Sequence, residues 1–391
     1  MTSPRSALWR QLAPICALVF LEFLAMGIPL PVLPSRVHGT LGFGTFIVGL
    51  VIGAQSWATL ATRHAAGSRS DGQGPRRTAI TGLLVSALAG AVYALSYAVP
   101  SASASLVTLL VGRGLLGLGE SLVITGALAW GVALAGRERS GIVMTWVGIA
   151  MYGALAVGAP LGSALDARVG FVGMAIATAI APLSGIGAAL LVRPVPPIGG
   201  ARLPFHRVAS LIWLPGAALS LCALGFGAIA AFATLLFREH GWPHAALVMT
   251  AFGAAFVLAR LVFGGLPDRI GGARVALAST AVATMGQLGL WFATSGTMAV
   301  AAAALTGLGF SLAFPSFGVE AIRRVPPQNR GVALGAYTAS FDVTMGVGVP
   351  LLGILVGAFG NRAAFAAGAV ASAASLALAV KLVRARSSGR P

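Results

Sequence analysis

Apolar residues in this chain come in runs separated by short polar stretches. The runs are about 20 residues long, the length a helix needs to cross the hydrocarbon of a bilayer. In the first half they lie near 12–33, 45–64, 78–97, 104–132, 141–163 and 170–192. In the second half they lie near 209–236, 245–264, 275–293, 298–321, 331–357 and 363–382. The fourth and eleventh are long enough to tilt or to project past the bilayer. The connections are too short to hold a folded extramembrane domain, which excludes an enzyme domain on either side. The first run is longer than the roughly 7–15 apolar residues of a secretory leader, and no small-residue cleavage site follows it. It is expected to stay as the first span.

The longest polar connection, 193–207, contains Pro194, Pro196, Pro197, Gly199 and Gly200 and reads as a flexible linker. It divides the spans six and six. The expected organisation is an N-terminal bundle (1–192), a cytoplasmic linker (193–208) and a C-terminal bundle (209–391). The halves echo one another. Arg63, Gly67, Asp71 and Gly74 recur as Arg260, Gly264, Asp268 and Gly271, each 197 positions later. Gly158 and Pro160 recur as Gly348 and Pro350, 190 positions later. Two echoes in order, at corresponding spans, predict an all-α membrane protein of twelve transmembrane helices in two pseudo-symmetric six-helix bundles. Substrate is then expected near the bilayer midplane, with access alternating as the bundles rock.

Composition agrees: 57% of the 391 residues are hydrophobic and 9% are charged, against about 25% charged in soluble domains. Glycine is abundant, with 53 residues, as in membrane helices whose backbones approach closely. The net charge of +17 would fit a nucleic-acid partner only if it were gathered on one stripe. Instead, with the N-terminus placed in the cytoplasm, 21 of the 26 Lys and Arg fall on cytoplasmic ends and loops. Four (Arg36, Arg168, Arg238, Arg362) fall on the opposite side, and Arg113 lies inside a span. This bias predicts both termini in the cytoplasm of a multi-pass inner-membrane protein. The charge is the topology signal, with no nucleic-acid partner expected. Cys16 and Cys222 are isolated in apolar runs and read as packing residues, with no disulfide framework and no metal spacing.

The Gly-x3-Asp-x2-Gly loops with following arginines (Arg76, Arg77; Arg274) resemble the loop signature of the major facilitator superfamily. Arg113, Gly117 and Gly119 resemble its fourth-helix motif, and Gly158 to Gly162 resemble its fifth-helix antiporter motif. The resemblance covers the whole chain. Residues 28–34, Gly225-Phe226-Gly227 and 314–342 resemble the bacterial YhhS/YfcJ-like branch, usually described as efflux permeases. Gly72, Pro75 and Leu116 depart from the usual pattern, and the tenth span has no equivalent of Arg113. The resemblance implies the major facilitator fold, a cavity lined by helices one, four, seven and ten, and no cofactor.

Ionisable residues inside the membrane are costly and mark function by default. Glu22, Glu120 and Asp342 are the proton-coupling candidates, since a desolvated carboxyl can load and release a proton. The alternatives for Glu120 and Asp342 are a structural polar pair and a helix anchor. Arg113 and Glu120 are seven residues apart, on nearly one helix face and about 10 Å apart along the axis. Arg113, Gln55, Trp57, Tyr152 and Gln287 are cavity or substrate candidates. Trp130 and Trp213 are equally candidates for interfacial anchors. Glu320 reads as a bridge to a cytoplasmic arginine. Arg63, Gly67, Asp71, Gly74, Arg76, Arg260, Gly264, Asp268, Arg269 and Gly271 are expected to form cytoplasmic gates, glycine supplying the tight turn and close helix approach. Gly158, Pro160, Gly162, Gly348 and Pro350 form a helix-packing motif. The histidines at span ends read as solvated.

The expected function is proton-coupled export, by antiport, of a small organic molecule such as a sugar or drug. Uptake by a proton symporter of the same fold and a non-transporting membrane ligand sensor remain alternatives. The expected partners are the substrate, protons and lipid, and the expected state is a monomer. No Gly-x4-Gly-Lys-Ser/Thr phosphate loop, no His-Glu-x2-His and no Gly-x-Ser-x-Gly sequence occurs. ATP hydrolysis and intramembrane enzymology therefore have no motif to rest on.

Overall fold

A computed structural model describes residues 4–136, 139–196, 209–325 and 330–387, with the side chains of 4–10, 140, 268, 330–332, 334 and 385–387 excepted. Of the expected linker, 197–208 lie outside the described residues. Among the described residues all regular structure is helical. The long helices are α1 (Pro4–Gly27), α2 (Thr45–Gln73), α3 (Pro75–Ala98), α4 (Ala102–Ala135), α5 (Ser140–Leu190), α6 (Trp213–Glu239), α7 (Ala246–Phe263), α8 (Gly272–Trp291), α9 (Gly296–Arg323), α10 (Arg330–Val343), α11 (Val349–Phe359) and α12 (Arg362–Ser387).

The helices reproduce the expected spans, with two local differences. At 51 residues, α5 would run about 75 Å if straight, far more than the roughly 30 Å of hydrocarbon. Gly170 breaks it with φ 74° and ψ −179°, a conformation open to glycine alone, so α5 supplies the fifth and sixth spans. The eleventh span is interrupted: α10 passes into a π-helical turn, Thr344–Gly348, before α11. Such turns widen a helix and recur at functional sites. Large apolar side chains such as Leu190, Phe359 and Val370 lie exposed on the helices. That surface is a liability in water and the natural outer face in lipid.

Two compact units form, one from residues 1–42 and 54–199 and the other from 43–53 and 200–391. The opening of α2 thus packs within the second unit. There Thr45 Oγ1 donates to Gly353 O across 2.8 Å, and Gly49 and Gly53 lie against the backbone of Val349, Pro350 and Met345.

The sequence echo is also a structural echo. Gly74 (φ 90°) and Gly271 (φ 93°) turn the chain into α3 and α8 with nearly the same backbone. Ser101 caps α4 by accepting from Ala104 N, and Ser295 caps α9 by accepting from Met298 N. A Cβ on Gly117 of α4 would strike Gln55 O of α2, and one on Gly307 of α9 would strike Phe252 O of α7. One exchange is instructive. Gly90 of α3 admits the backbone of Ala179. Its counterpart 197 positions later is Gln287, and there the glycine has moved to the facing helix as Gly368. Close packing is kept by moving the small residue from one side of the contact to the other.

Gly67 does not carry the close approach expected of it. Among the described residues, nothing beyond its own turn of helix lies within 4 Å of where its Cβ would stand, because α2 continues as helix through Gln73 and the turn falls at Gly74.

Candidate functional site

The polar interior of the first unit is built from four helices. α2 presents Gln55, Thr59 and Arg63 at four-residue spacing, one face of a helix. α4 presents Arg113, Gly117 and Glu120, α1 presents Glu22, and α3 presents Ser86. Close approach of α2 to α4 at Gly117 makes the cluster possible.

Glu120 Oε2 accepts from Gln55 Nε2 at 2.9 Å and lies 3.1 Å from Thr59 Oγ1. The single Thr59 proton has three acceptors in range, the others being Gly117 O at 3.0 Å and Gln55 O at 3.1 Å. A hydroxyl in that position can donate to an ionised carboxylate or accept from a protonated one. Arg63 and Arg113 both act electrostatically on Glu120. Arg113 is 3% exposed and also acts on Tyr93 of α3. The structure therefore brings Arg113, Glu120 and Gln55 together, and adds Arg63, a residue expected in the cytoplasmic gate.

Glu22 is fully enclosed. Ser86 Oγ donates to Glu22 Oε1 across 2.5 Å, while Oε2 has no hydrogen-bond partner among the described residues. Glu120 lies within electrostatic reach. Sequence reasoning passed over Ser86 and Thr59. Serine and threonine are common in membrane helices, and the only signal was the placement of Thr59 one turn beyond Gln55.

In the second unit, Gln287 is fully buried among α6, α8, α9 and α12. Its Nε2 lies 3.3 Å from both Gly225 O and Thr306 Oγ1, and its side chain fills the space left by Gly368. Asp342 is buried on α10, two residues before the π turn. Phe226, Phe252, Phe310 and Phe341, the last adjacent to Asp342 in sequence, form a ring cluster with contacting centroids 5.3–6.3 Å apart. Of the aromatic candidates in the first unit, Trp57 is exposed and Tyr152 is buried.

At the loop motifs, Arg69 Nη2 donates to Thr81 Oγ1 at 3.2 Å, and Asp71 and Arg76 are half-buried. Arg260 is buried, its guanidinium 5.1 Å from the Phe256 ring. Gly264 ends α7 and Gly271 precedes α8. Arg269 is exposed, and the side chain of Asp268 lies outside the described residues. Glu320 is buried with Oε1 close to Gly272. Gly158 and Gly162 of α5 sit against the backbone of Gly27 and Ile28, with the half-buried Pro160 between them. Gly348 lies against Leu224, and Pro350 is buried. Trp130 is no interfacial anchor: it is fully buried, and its Nε1 donates to Arg193 O at 2.9 Å. Trp213 is 64% exposed.

Comparison with known proteins adds five findings. The family model described as Major Facilitator Superfamily matches residues 15–243 and 216–391. An uncharacterized MFS-type transporter of Burkholderia pseudomallei (strain 1106a) is 43% identical over 385 residues, covering 97% of this chain and 94% of the relative. One of Pseudomonas aeruginosa (strain LESB58) is 44% identical over 383 residues, covering 98% and 95%. Among solved structures, the human organic anion transporter MFSD10 is similar with TM-score 0.68 at 15% identity, covering 97% of this chain and 100% of that one. A variant of the nucleoside transporter NupG is similar with TM-score 0.72 at 16% identity, covering 96% and 99%.

Proposed function

The chain belongs to the Major Facilitator Superfamily of multi-pass membrane transporters, and from that premise we propose that it exports a small organic molecule, such as a sugar or drug, in exchange for protons by alternating access. The observation that carries this reading is Glu22, fully enclosed mid-span and bonded to a neutral hydroxyl. An ionised carboxylate is costly at that depth. A proton removes the cost, and Ser86 can serve as donor to the carboxylate or as acceptor from the acid. Glu120, bonded to Gln55 and Thr59, is the second coupling group, and Asp342 is the candidate in the second unit. Arg113 biases Glu120 or meets substrate. The loop residues around Asp71 and Asp268 form the cytoplasmic gate. The resemblance of residues 158–162 to an antiporter motif supports export over uptake. The bias of 21 basic residues to four supports the bacterial inner membrane with both termini in the cytoplasm.

The test begins with a thermal-shift screen of the purified protein against sugars, antibiotics and metal-chelating metabolites, because a bound ligand raises apparent stability. A hit is then followed in liposomes under an imposed pH gradient. Glu22→Gln is expected to abolish pH-driven movement of the hit. If Glu22→Gln, Glu120→Gln and Asp342→Asn each leave it unchanged, the coupling assignment is wrong.

A further inference from the structure

We propose that Ser86 is a positioning residue for Glu22, its hydroxyl holding the carboxyl in place through both protonation states. This rests on Glu22 being the proton carrier. Three observations lead to it. Ser86 is fully buried and its Oγ lies 2.5 Å from Glu22 Oε1. Among the described residues the other Glu22 oxygen has no hydrogen-bond partner, so the Ser86 contact is the one that orients the group. The Ser86 hydroxyl is itself confined, because a Cβ on Gly119 of α4 would fall on Ser86 Oγ.

The confinement has a clear origin. α3 and α4 pack backbone to backbone along a seam of small residues. Gly82 faces Gly119 O, and Gly126 faces Pro75 O and Ala79 N. That seam fixes the depth at which Ser86 meets α1. The charged groups facing the pair come from α4: Glu120, in electrostatic reach of Glu22, and Arg113, in reach of Glu120. α3 adds Tyr93 beside Arg113. α5 meets the end of α1 through Ala154, Leu155 and Gly158, and Leu21 beside Glu22 through Gly185, none of which carries a charge.

A serine hydroxyl has one proton to give and lone pairs to receive with. It donates when Glu22 is ionised and accepts when Glu22 is protonated, turning about its Cβ–Oγ bond between the two. No heavy atom has to move as the proton comes and goes. Alanine at 86 would leave both carboxyl oxygens without a donor, which changes the balance between the protonation states.

The test is infrared spectroscopy of the full-length protein in lipid, titrated with bulk pH, with protons as the only ligand. A carbonyl-stretch band of a protonated carboxyl that titrates in the wild type and disappears in Glu22→Gln belongs to Glu22. In Ser86→Ala that band is expected to move in frequency, as a carboxyl losing its hydroxyl partner does, and its midpoint to shift by about half a pH unit or more. In Ser86→Thr, which keeps the hydroxyl, both are expected to return toward the wild type. A Glu22 band unchanged in Ser86→Ala would overturn the positioning role and leave Glu22 standing as the carrier. The absence of any titrating band sensitive to Glu22→Gln would overturn both readings.

Discussion

Gln55 donates its amide Nε2–H to Glu120 Oε2 across 2.9 Å, tying α2 to α4 in the interior of the first unit. The amide oxygen of the same side chain is buried with no hydrogen-bond partner among the described residues. Gln55→Ala removes one donor to Glu120 and leaves Thr59 and the electrostatic influence of Arg63 and Arg113. A buried acceptor that loses its donor costs about 1–3 kcal/mol. The variant is expected to melt several degrees lower and to change the pH dependence of transport of a screened ligand. Gln55→Glu, which sets a second carboxyl against Glu120, is expected to do more harm. Parallel melts in lipid or detergent and liposome transport assays check both.

Glycine substitutions separate close packing from mere composition. At Gly117 a methyl would strike Gln55 O, and at Gly307 it would strike Phe252 O. Backbone cannot yield as a side-chain tip does, so Gly117→Ala and Gly307→Ala are each expected to cost about 1–3 kcal/mol. Gly67 has open space at the same place, and Gly67→Ala is expected to be neutral or slightly stabilising, since alanine favours helix by about 1 kcal/mol. Melting temperatures of the three variants decide it. Equal losses at all three would contradict the packing argument.

On the second unit, Arg362 joins three separate segments. Its Nη1 donates to Trp291 O at 3.2 Å, and its Nη2 to Ala293 O at 2.7 Å and to His240 Nε2 at 3.2 Å. His240 Nδ1 donates to Leu236 O at 3.1 Å, which leaves Nε2 free to accept only while the ring is neutral. Arg362→Ala is expected to raise amide exchange at residues 291–293 and around 240. Arg362→Lys, with a point charge in place of a planar fork, is expected to restore it only in part. Hydrogen exchange with peptide-level readout measures both.

A counterpart on the first unit is Arg36, whose guanidinium lies 4.3 Å from the Phe171 ring and 5.1 Å from that of Tyr97. Burial lowers its pKa from the ordinary arginine value, opposed by Tyr97 and Asp166. Two of the four basic residues against the charge bias are thus held by specific contacts. Phe171→Ala is expected to lose about 0.5–2 kcal/mol of cation–π attraction in addition to packing. The double variant with Arg36→Ala should be less destabilised than the sum of the single ones. A thermal-melt cycle of the four proteins tests this.

Trp130 Nε1 donates to Arg193 O, anchoring the chain where it leaves α5. Trp130→Phe keeps the ring and removes the donor. Limited proteolysis is expected to cut faster near residues 193–196, with little change in melting temperature.

The run lengths of apolar residues and the 197-residue echo settled the fold class, the twelve spans and the doubling of the chain. Each follows from what lipid demands of a single helix, and needs no knowledge of its neighbours. Glu22, Arg113 and Glu120 were legible for the same reason, because charge in hydrocarbon stands out against its own segment. What each charge touches was decided by tertiary packing. Ser86 and Thr59 are unremarkable in sequence and become functional candidates only because small residues in α3 and α4 let the helices approach until a hydroxyl reaches a carboxyl. Gln287 stood out as polar in an apolar run and proved to be the filler opposite Gly368. Trp130 could equally have faced lipid headgroups until the fold enclosed it. A single helix carries its burial cost in its own sequence, whereas a hydrogen bond between helices depends on registers and crossing points that only the packed structure sets.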